Sequence, residues 1–452
     1  MRFKWAIRRI FIILLTSFLI YSTFLAIYGG TDDEEPDYPY NFDPAKDEIF
    51  VKNYLKLLQM GRASARPVIE KEAKVHENYW CFLKFPKITR KSGNWLTMAG
   101  VEVFSAYFDD RENSLYTQNS AVQILVMSNH SIEKANVLIF CNIFSTSTRE
   151  YAAVKGYIRE IWQTGWDPRN SFQVPSLITC PIPTRMPKSS QNLVVSLTRR
   201  RCHNVPEAMQ VLGKPEQGKG AKKDVAVCLK GLDYQIPITL PRGNTNDPIA
   251  RTNYLKSNRP AKRRHELLPY NDCFYQHIHT HRYVLIIDID EAVVPVRHDN
   301  YSQLLADFEQ KKAIKNWKIS SIAARNVFKF PSNFTLFPRR HHMTSNRKRS
   351  KKTSPNGEYG KSFSSTSSVA TVFNHFALHK LSQNVAKSQY FSENDALKLH
   401  YKSECPWESR NECHTLEYDV VDDTSLDKFM EKLSQRVDDV AKELRSGWGI
   451  DV

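Results

Sequence analysis

Apolar positions group into runs along the chain, and the first run is the longest. Residues 10–28 form 19 consecutive positions without a charged side chain. A membrane-spanning helix needs roughly 20 apolar residues, so this run predicts one. Basic residues lie within 1–9 and acidic residues follow within 29–37, which predicts that residues 29–452 face away from the cytosol. A cleaved signal peptide is the alternative, but its apolar core is usually only about 7–15 residues long.

Shorter apolar runs begin after a polar stretch at residues 29–75, which is typical of a stem that separates a membrane anchor from a folded domain. These runs are rich in Val, Ile, Tyr and Leu, and polar, Gly or Pro segments separate them. They lie at residues 101–107, 121–127, 136–140 and 193–197. This pattern predicts a mostly β region over residues 76–222.

Strand and helix patterns are mixed over residues 223–452. A short apolar run lies at 225–229, and residues 266–278 have a broken helical pattern. The continuous apolar run at 283–287 is typical of a buried parallel strand. Mixed patterns of this kind predict an α/β domain. Apolar residues then recur at helical spacing from residue 426 to residue 444, which predicts a closing helix that docks on the core.

The net charge of the chain does not by itself identify its ligand. The chain has 64 Lys and Arg against 48 Asp and Glu, a net charge of +16. Such a chain could bind nucleic acid or anionic small molecules, but a position behind a membrane argues against nucleic acid. The basic stretch at 339–352 is then predicted to be a solvated loop, with an anionic glycan contact as the alternative.

Eight cysteines all lie beyond the first apolar run. An even number in an oxidising compartment predicts disulfides. The spacing leaves the pairing open, including whether Cys405 and Cys413 close a short loop.

Two aspartates directly follow the apolar run at 283–287. Asp288 and Asp290 are two positions apart, so on an extended chain they share one face, with Cα atoms about 6.6 Å apart. Ligands of α/β sheets bind beyond the carboxyl ends of strands. A hard divalent cation held there would neutralise the diphosphate that leaves a nucleotide sugar. The alternative is an acidic turn with Glu291 at a helix start.

Four segments, in order along the chain, resemble the motifs of glycosyltransferase family 92. They are VFSAYFDDR at 103–111, NDC at 271–273 with YVLIIDIDEAVVP at 283–295, KSF at 361–363 with FNHFAL at 373–378, and LHY at 399–401 with Cys405. The resemblance covers roughly residues 76–445. It implies a GT-A-like nucleotide-sugar domain, a UDP-sugar donor such as UDP-galactose, Mn²⁺ or Mg²⁺, and a glycan or glycoprotein acceptor. It also implies transfer with inversion, by a single-pass type II protein of the Golgi membrane with a luminal catalytic domain.

The resemblance also implies roles for individual residues. By position, Asp288, Asp290 and Glu291 would bind the cation and the diphosphate of the donor. A histidine late in the chain often completes such a metal site, and His400 and His375 are the candidates. Neutral imidazole is an acceptable ligand for Mn²⁺. An ordinary structural histidine is the alternative at both positions.

An inverting transfer needs a general base that accepts the proton of the acceptor hydroxyl. Glu393 and Asp395, which lie shortly before His400, are the candidates for this base. The residues do not distinguish this role from that of solvated surface carboxylates.

Two positions depart from the family pattern. First, the segment between Cys228 and Asn271 is shorter than in the family, and the residues that are missing relative to the family would lie near positions 232–236. Second, Phe373 stands where the family usually has a histidine. The missing segment leaves two alternatives open. The chain is either an active Golgi glycosyltransferase or a catalytically inactive luminal relative that binds glycans.

Overall fold

The computed structural model describes most of the chain beyond residue 82, and these residues belong to one compact unit within Gly61–Val452. The described residues are 83–89, 95–111, 120–163, 173–184, 186, 192–213, 221–230, 259–315, 318–330, 341, 346–382, 384–402, 405 and 412–449. The predicted spanning run at 10–28, the predicted stem at 29–75 and the positions near 232–236 lie outside them. Within the described ranges, no helix is both long and apolar enough to cross a membrane.

Two five-stranded sheets form the N-terminal part of the described chain. The first contains, in spatial order, β1 (Lys87–Thr89), β10 (Glu207–Gln210), β9 (Leu193–Thr198), β5 (Phe140–Ser145) and β6 (Tyr151–Lys155). The second contains β2 (Leu96–Met98), β3 (Val101–Asp109), β4 (Ala121–Ser128), β8 (Val174–Pro181) and β7 (Tyr157–Glu160). Ile124 of the second sheet and Ile143 and Val195 of the first share one buried hydrophobic cluster. The two sheets therefore pack face to face as a sandwich.

A third, seven-stranded sheet carries the predicted chemistry. Its order is β11 (Lys223–Leu229), β12 (His281–Ile287), β16 (Lys361–Ser365), β14 (Ser321–Lys329), β20 (Ala396–Tyr401) and β13 (Glu291–Pro295), with β19 (Gln389–Tyr390) beside β14. Two small ribbons pair β15 (Lys348–Ser350) with β21 (Val420–Asp422) and β17 (Val369–Val372) with β18 (Ala377–Lys380). The helices are α1 (Arg259–His265), α2 (Leu267–His277), α3 (Tyr301–Lys312), α4 (Cys413–Tyr418) and α5 (Met430–Trp448), the last preceded by a 3₁₀ turn at Asp427–Phe429.

The predicted fold class is wrong. Strands make up 41% of the described residues and helices only 21%, so the described chain is mostly β rather than an α/β, GT-A-like domain. The parallel pairing of β12 with β11 agrees with the prediction for the run at 283–287, but the other neighbour of β12, β16, is antiparallel. Apolar runs show that a strand is buried on both faces, and they do not reveal the direction of its neighbours.

Helix α2 lies between the sandwich and the third sheet. One hydrophobic cluster contains Leu177 of β8, Phe274 of α2 and Ile286 of β12, and it crosses the predicted boundary between residues 222 and 223. The hydroxyl group of Tyr107 on β3 donates a 2.7 Å hydrogen bond to Asp272 of α2. The sandwich and the third sheet therefore share one core through this helix.

Residues of the 103–111 segment also fix the small β17–β18 ribbon. The Arg111 guanidinium is buried, pairs with Asp109, and donates to the backbone carbonyls of Thr366 and Val369 at 2.6 and 2.7 Å. Burial alone would raise the pKa of Asp109, but Arg111 outweighs it and lowers that pKa. This motif therefore stabilises the contact between sheets rather than presenting groups to a substrate.

The basic stretch and the closing helix differ in part from their predictions. Lys348 lies on β15 and pairs with Asp422 at 2.7 Å, and Lys352 pairs with Glu412 at 2.9 Å, so this part of the basic stretch is a paired strand. The closing helix forms at Met430–Trp448. Phe429 and Met430, at its beginning, pack against a buried cluster.

Candidate active site

Strand pairing assembles the candidate site at the end of β12. Asp288 and Asp290 follow this strand, and β13 begins at Glu291. Strand β13 pairs with β20 in an antiparallel register that sets Glu291 opposite His400. The backbone N–H of Tyr401 also donates to the carbonyl of Asp290 at 2.9 Å. A residue more than a hundred positions later in the chain is thereby brought to the two aspartates.

Asp290 is the more exposed of the two aspartates, with a side chain that is 36% exposed. One of its oxygens, Oδ2, lies 2.7 Å from Lys402 Nζ and 3.4 Å from His400 Nε2. Burial alone would raise the pKa of Asp290, but hydrogen bonds from His400 and Lys402 outweigh it and hold that pKa well below its ordinary value. Asp290 is therefore ionised and is a strong ligand for cations.

His400 is held in a defined orientation beside Asp290. Its ring stacks on Phe328 with a centroid distance of 5.5 Å, and its Nδ1 lies 3.4 Å from Lys398 Nζ. Burial lowers the pKa of His400, so the ring is neutral near pH 7. Since Nδ1 faces an ammonium donor, Nε2 is the nitrogen that carries the proton and faces Asp290.

One carboxylate oxygen of Asp288 accepts a hydrogen bond, and the other accepts none from the described residues. Oδ2 accepts from Lys361 Nζ at 3.1 Å. Oδ1 is buried and has no hydrogen-bond partner among the described residues, and its nearest cation is Lys230 Nζ at 3.5 Å. Lys230 itself pairs more closely with Glu266, at 2.9 Å. A buried acceptor without a donor is costly, so this oxygen suits an additional cation.

Glu291 faces the protein interior, and its side chain is 1% exposed. It accepts from Lys398 Nζ at 2.5 Å and from the backbone N–H of Asp288 at 3.1 Å, and it lies 3.3 Å from Lys361 Nζ. Burial would raise the pKa of Glu291, but the two lysines outweigh it and lower that pKa. Glu291 begins a strand and not a helix, and it orients Asp288 rather than offering an open ligand atom.

His375 contacts a backbone carbonyl and a side-chain amide. Its Nδ1 lies 2.8 Å from the carbonyl of Gly360 and its Nε2 lies 3.3 Å from the Asn374 amide nitrogen. Burial lowers the pKa of His375 to about 3, so the ring is neutral. His400 is among the ion-pair partners of Asp290, and a metal-binding role for His375 stays a prediction.

Glu393 and Asp395 also lie away from the aspartates. Both residues precede Ala396, the first residue of β20, and His400 lies about 13 Å beyond Ala396 along this extended strand. Glu393 accepts from Arg325 at 2.5 Å, and Asp395 forms an ion pair with Arg297. A role for either as general base stays a prediction, and these ion pairs do not favour it.

Four lysines of the site were missed by the sequence analysis. They are Lys230, Lys361, Lys398 and Lys402. A signal for two of them was present, because Lys398, His400 and Lys402 alternate along β20 and its end, and alternate residues of a strand share a face. Phe373, by contrast, lies in the core, where its ring stacks on Phe376 at 5.3 Å.

The donor set fits a divalent cation. The Asp290 carboxylate and the Asp288 oxygen that lacks a donor among the described residues are ligands that Mn²⁺ and Mg²⁺ accept. The neutral imidazole of His400 would add a nitrogen ligand for Mn²⁺ in the tautomer that leaves Nε2 unprotonated. Four lysines balance four carboxylates, those of Asp288, Asp290, Glu291 and Glu266, so a bound divalent cation would give the cluster the net positive charge that an anionic ligand requires.

Comparison with known proteins links the site to a family. No curated protein matches the chain. The sequence model of glycosyltransferase family 92 matches residues 238–440, which include both aspartates, His400 and three of the four lysines. Glycosyltransferases of this kind use a nucleotide-sugar donor and a glycan acceptor. The charged cluster lies inside the matched segment, and the match supports glycosyltransferase family 92 as the family of this part of the chain.

Proposed function

We propose that the cluster around Asp288 and Asp290 binds the diphosphate of a nucleotide sugar and that the sugar is transferred from it to a glycan. Family membership supports glycosyl transfer in general. The observation that carries the proposal is the pair of aspartates at the end of a buried strand. Asp288 has one oxygen without a hydrogen-bond donor among the described residues, and Asp290 lies beside His400. Charge that develops on a leaving diphosphate requires fixed positive groups close by.

Some residues of the cluster would bind the cation, and others hold the carboxylates in position. Asp288, Asp290 and His400 would hold a divalent cation, Mn²⁺ or Mg²⁺, which supplies positive charge to the leaving diphosphate. Lys361 and Lys398 have side chains that are 0% exposed, so they keep the carboxylates in place from beneath. This division leaves the exposed edge of the cluster open to the donor.

The finer details of the reaction rest on the resemblance. A UDP-sugar donor, galactose as the transferred sugar, and inversion are proposed on that ground alone. The acceptor would be a glycan or glycoprotein. An inverting reaction would also need a general base, for which Glu393 and Asp395 remain the candidates from sequence despite their distance from the aspartates.

The proposal extends to the compartment. Cys141 pairs with Cys180 and Cys228 pairs with Cys273. Disulfides persist in oxidising compartments and are rare in the cytosol. They support a position in the secretory pathway, and the resemblance favours the Golgi lumen.

The decisive experiment measures UDP release from UDP-galactose by the full chain with Mn²⁺ and a panel of glycans. Asp290→Asn should lower turnover by at least a hundredfold, because removing a group that stabilises charge in the transition state typically costs a factor of about 10²–10³. Asp422→Asn, which removes an exposed carboxylate on β21, is the matched control and should keep full activity.

Two results would contradict the proposal. Full activity of Asp290→Asn would show that the diphosphate is bound elsewhere. Wild-type protein that binds glycans but releases no UDP from any nucleotide sugar would instead identify a glycan-binding relative without transferase activity.

A further inference from the structure

The lysines of the cluster differ in their freedom to move. Lys361 and Lys398 have side chains that are 0% exposed, and each contacts several acceptors. The side chain of Lys402 is 31% exposed. In the part of the chain that the structure describes, its ammonium group has a single acceptor, Asp290 Oδ2, at 2.7 Å.

The backbone of Lys402 is nevertheless fixed. Its N–H donates to the carbonyl of Lys329 at 3.0 Å, directly after the paired part of β20. A lysine has a flexible four-carbon stem, so a fixed backbone still allows the ammonium group to move by several ångströms. Lys402 is therefore anchored beside the site, while its charged end can change partner.

The contact between Lys402 and Asp290 competes with a bound cation. Asp290 Oδ2 is shared by Lys402 Nζ and His400 Nε2, and it belongs to the ligand set that fits a divalent cation. Two positive charges close to one oxygen repel each other strongly, because the interaction grows as their separation falls. A cation bound by Asp290 would displace the ammonium group of Lys402.

We infer that Lys402 is a positioning residue with two successive anionic partners. It pairs with Asp290 when no cation is bound, and it pairs with the diphosphate of the nucleotide once a cation has taken Asp290. This inference rests on the proposed function. It is favoured by the chemistry of lysine, a mobile point charge that binds phosphate oxygens well.

The inference predicts effects of opposite sign on two binding equilibria of the full chain. Binding of Mn²⁺ alone is measured by electron paramagnetic resonance of the free ion, and binding of UDP at saturating Mn²⁺ is measured by calorimetry. Lys402→Gln should bind Mn²⁺ about two- to fivefold more tightly, since a partly exposed competing ion pair is lost. The same variant should bind UDP about tenfold more weakly.

Two further variants separate charge from fold. Lys402→Arg keeps the positive charge and should restore most of the UDP affinity. Lys348→Gln is the matched control, because Lys348 donates to Asp422 at the same distance of 2.7 Å but lies outside the cluster, and both affinities should stay at wild-type values.

The inference is overturned if Lys402→Gln leaves Mn²⁺ affinity unchanged or weakens both ligands together, while the wild-type chain binds both. That result would leave the proposed function standing. A wild-type chain that binds neither Mn²⁺ nor UDP would overturn the proposed function as well, so the two failures are distinguishable.

Discussion

Glu291 offers the sharpest test of how the site is built. Its carboxylate lies between two lysines whose side chains are fully buried, Lys398 at 2.5 Å and Lys361 at 3.3 Å. Glu291→Gln keeps the size of the side chain and removes its charge. Two buried ammonium groups would then lose their shared counter-ion, so we expect a large loss of stability as well as a disordered site.

The magnitude follows from the burial of this group. Removing one partner of a buried ion pair costs about 3–5 kcal/mol, because the remaining charge stays out of water. Folded domains are stable by only about 5–15 kcal/mol, so the loss is a large fraction of the total. At roughly 2 °C per kcal/mol for a large domain, the thermal midpoint should fall by about 6 °C or more.

The assay compares denaturation midpoints of the full chain with a matched variant. Glu393→Gln also removes a carboxylate from an ion pair, but Glu393 is 43% exposed, and such pairs are worth about 0–1 kcal/mol. In a double-mutant cycle, Lys398→Met should destabilise less in the Glu291→Gln background than alone. Equal midpoint shifts for Glu291→Gln and Glu393→Gln would refute the assignment of Glu291 as the buried counter-ion.

Three further predictions concern the framework around the site. Burial lowers the pKa of His265 from 6.5 to about 4, so between these pH values the unfolded state binds a proton that the folded state does not bind. The stability of the fold should therefore fall as the pH falls from 6.5 towards 4. His265→Leu should reduce this loss when denaturation midpoints at pH 7 and pH 5 are compared. Tyr107→Phe leaves the Asp272 carboxylate without its hydroxyl donor and should cost about 1–3 kcal/mol in denaturant titrations, with UDP binding unchanged. Replacing both Cys228 and Cys273 with serine opens a loop of 45 residues and should cost about 4 kcal/mol, measured against the oxidised wild-type chain.

The sequence allowed us to predict the site residues that follow directly on an apolar run. It did not allow us to predict those that the pairing of distant strands brings to the site. Asp288 and Asp290 follow an apolar run that is indeed a buried strand, because continuous burial leaves a continuous apolar pattern. Lys361 is separated from Asp288 by 73 positions, and a lysine in a short polar segment is ordinarily expected at the surface. Only the pairing of β16 with β12 shows that this lysine is buried.

The fold class was mispredicted for a related reason. Strand β16, with the sequence KSFSS, is buried throughout although most of its residues are polar. Its serines are satisfied inside the protein, as where Ser365 bonds Ser368 at 3.0 Å. A segment of this composition has no apolar pattern to mark it as a central strand. Because such strands were missed, the predicted architecture was a mixed α/β domain and not a mostly β one.

The position of α2 limits how this protein can be shortened. Its apolar side chains, including Phe274, are covered on one side by residues of the sandwich such as Leu125 and Leu177. A truncated version starting at residue 223 would turn that covered surface into a water-exposed apolar face, which promotes self-association. The segment that matches the family is therefore shorter than the shortest piece of the chain that we expect to remain soluble. The sandwich that precedes it is needed to cover the apolar surface of α2 beside the third sheet.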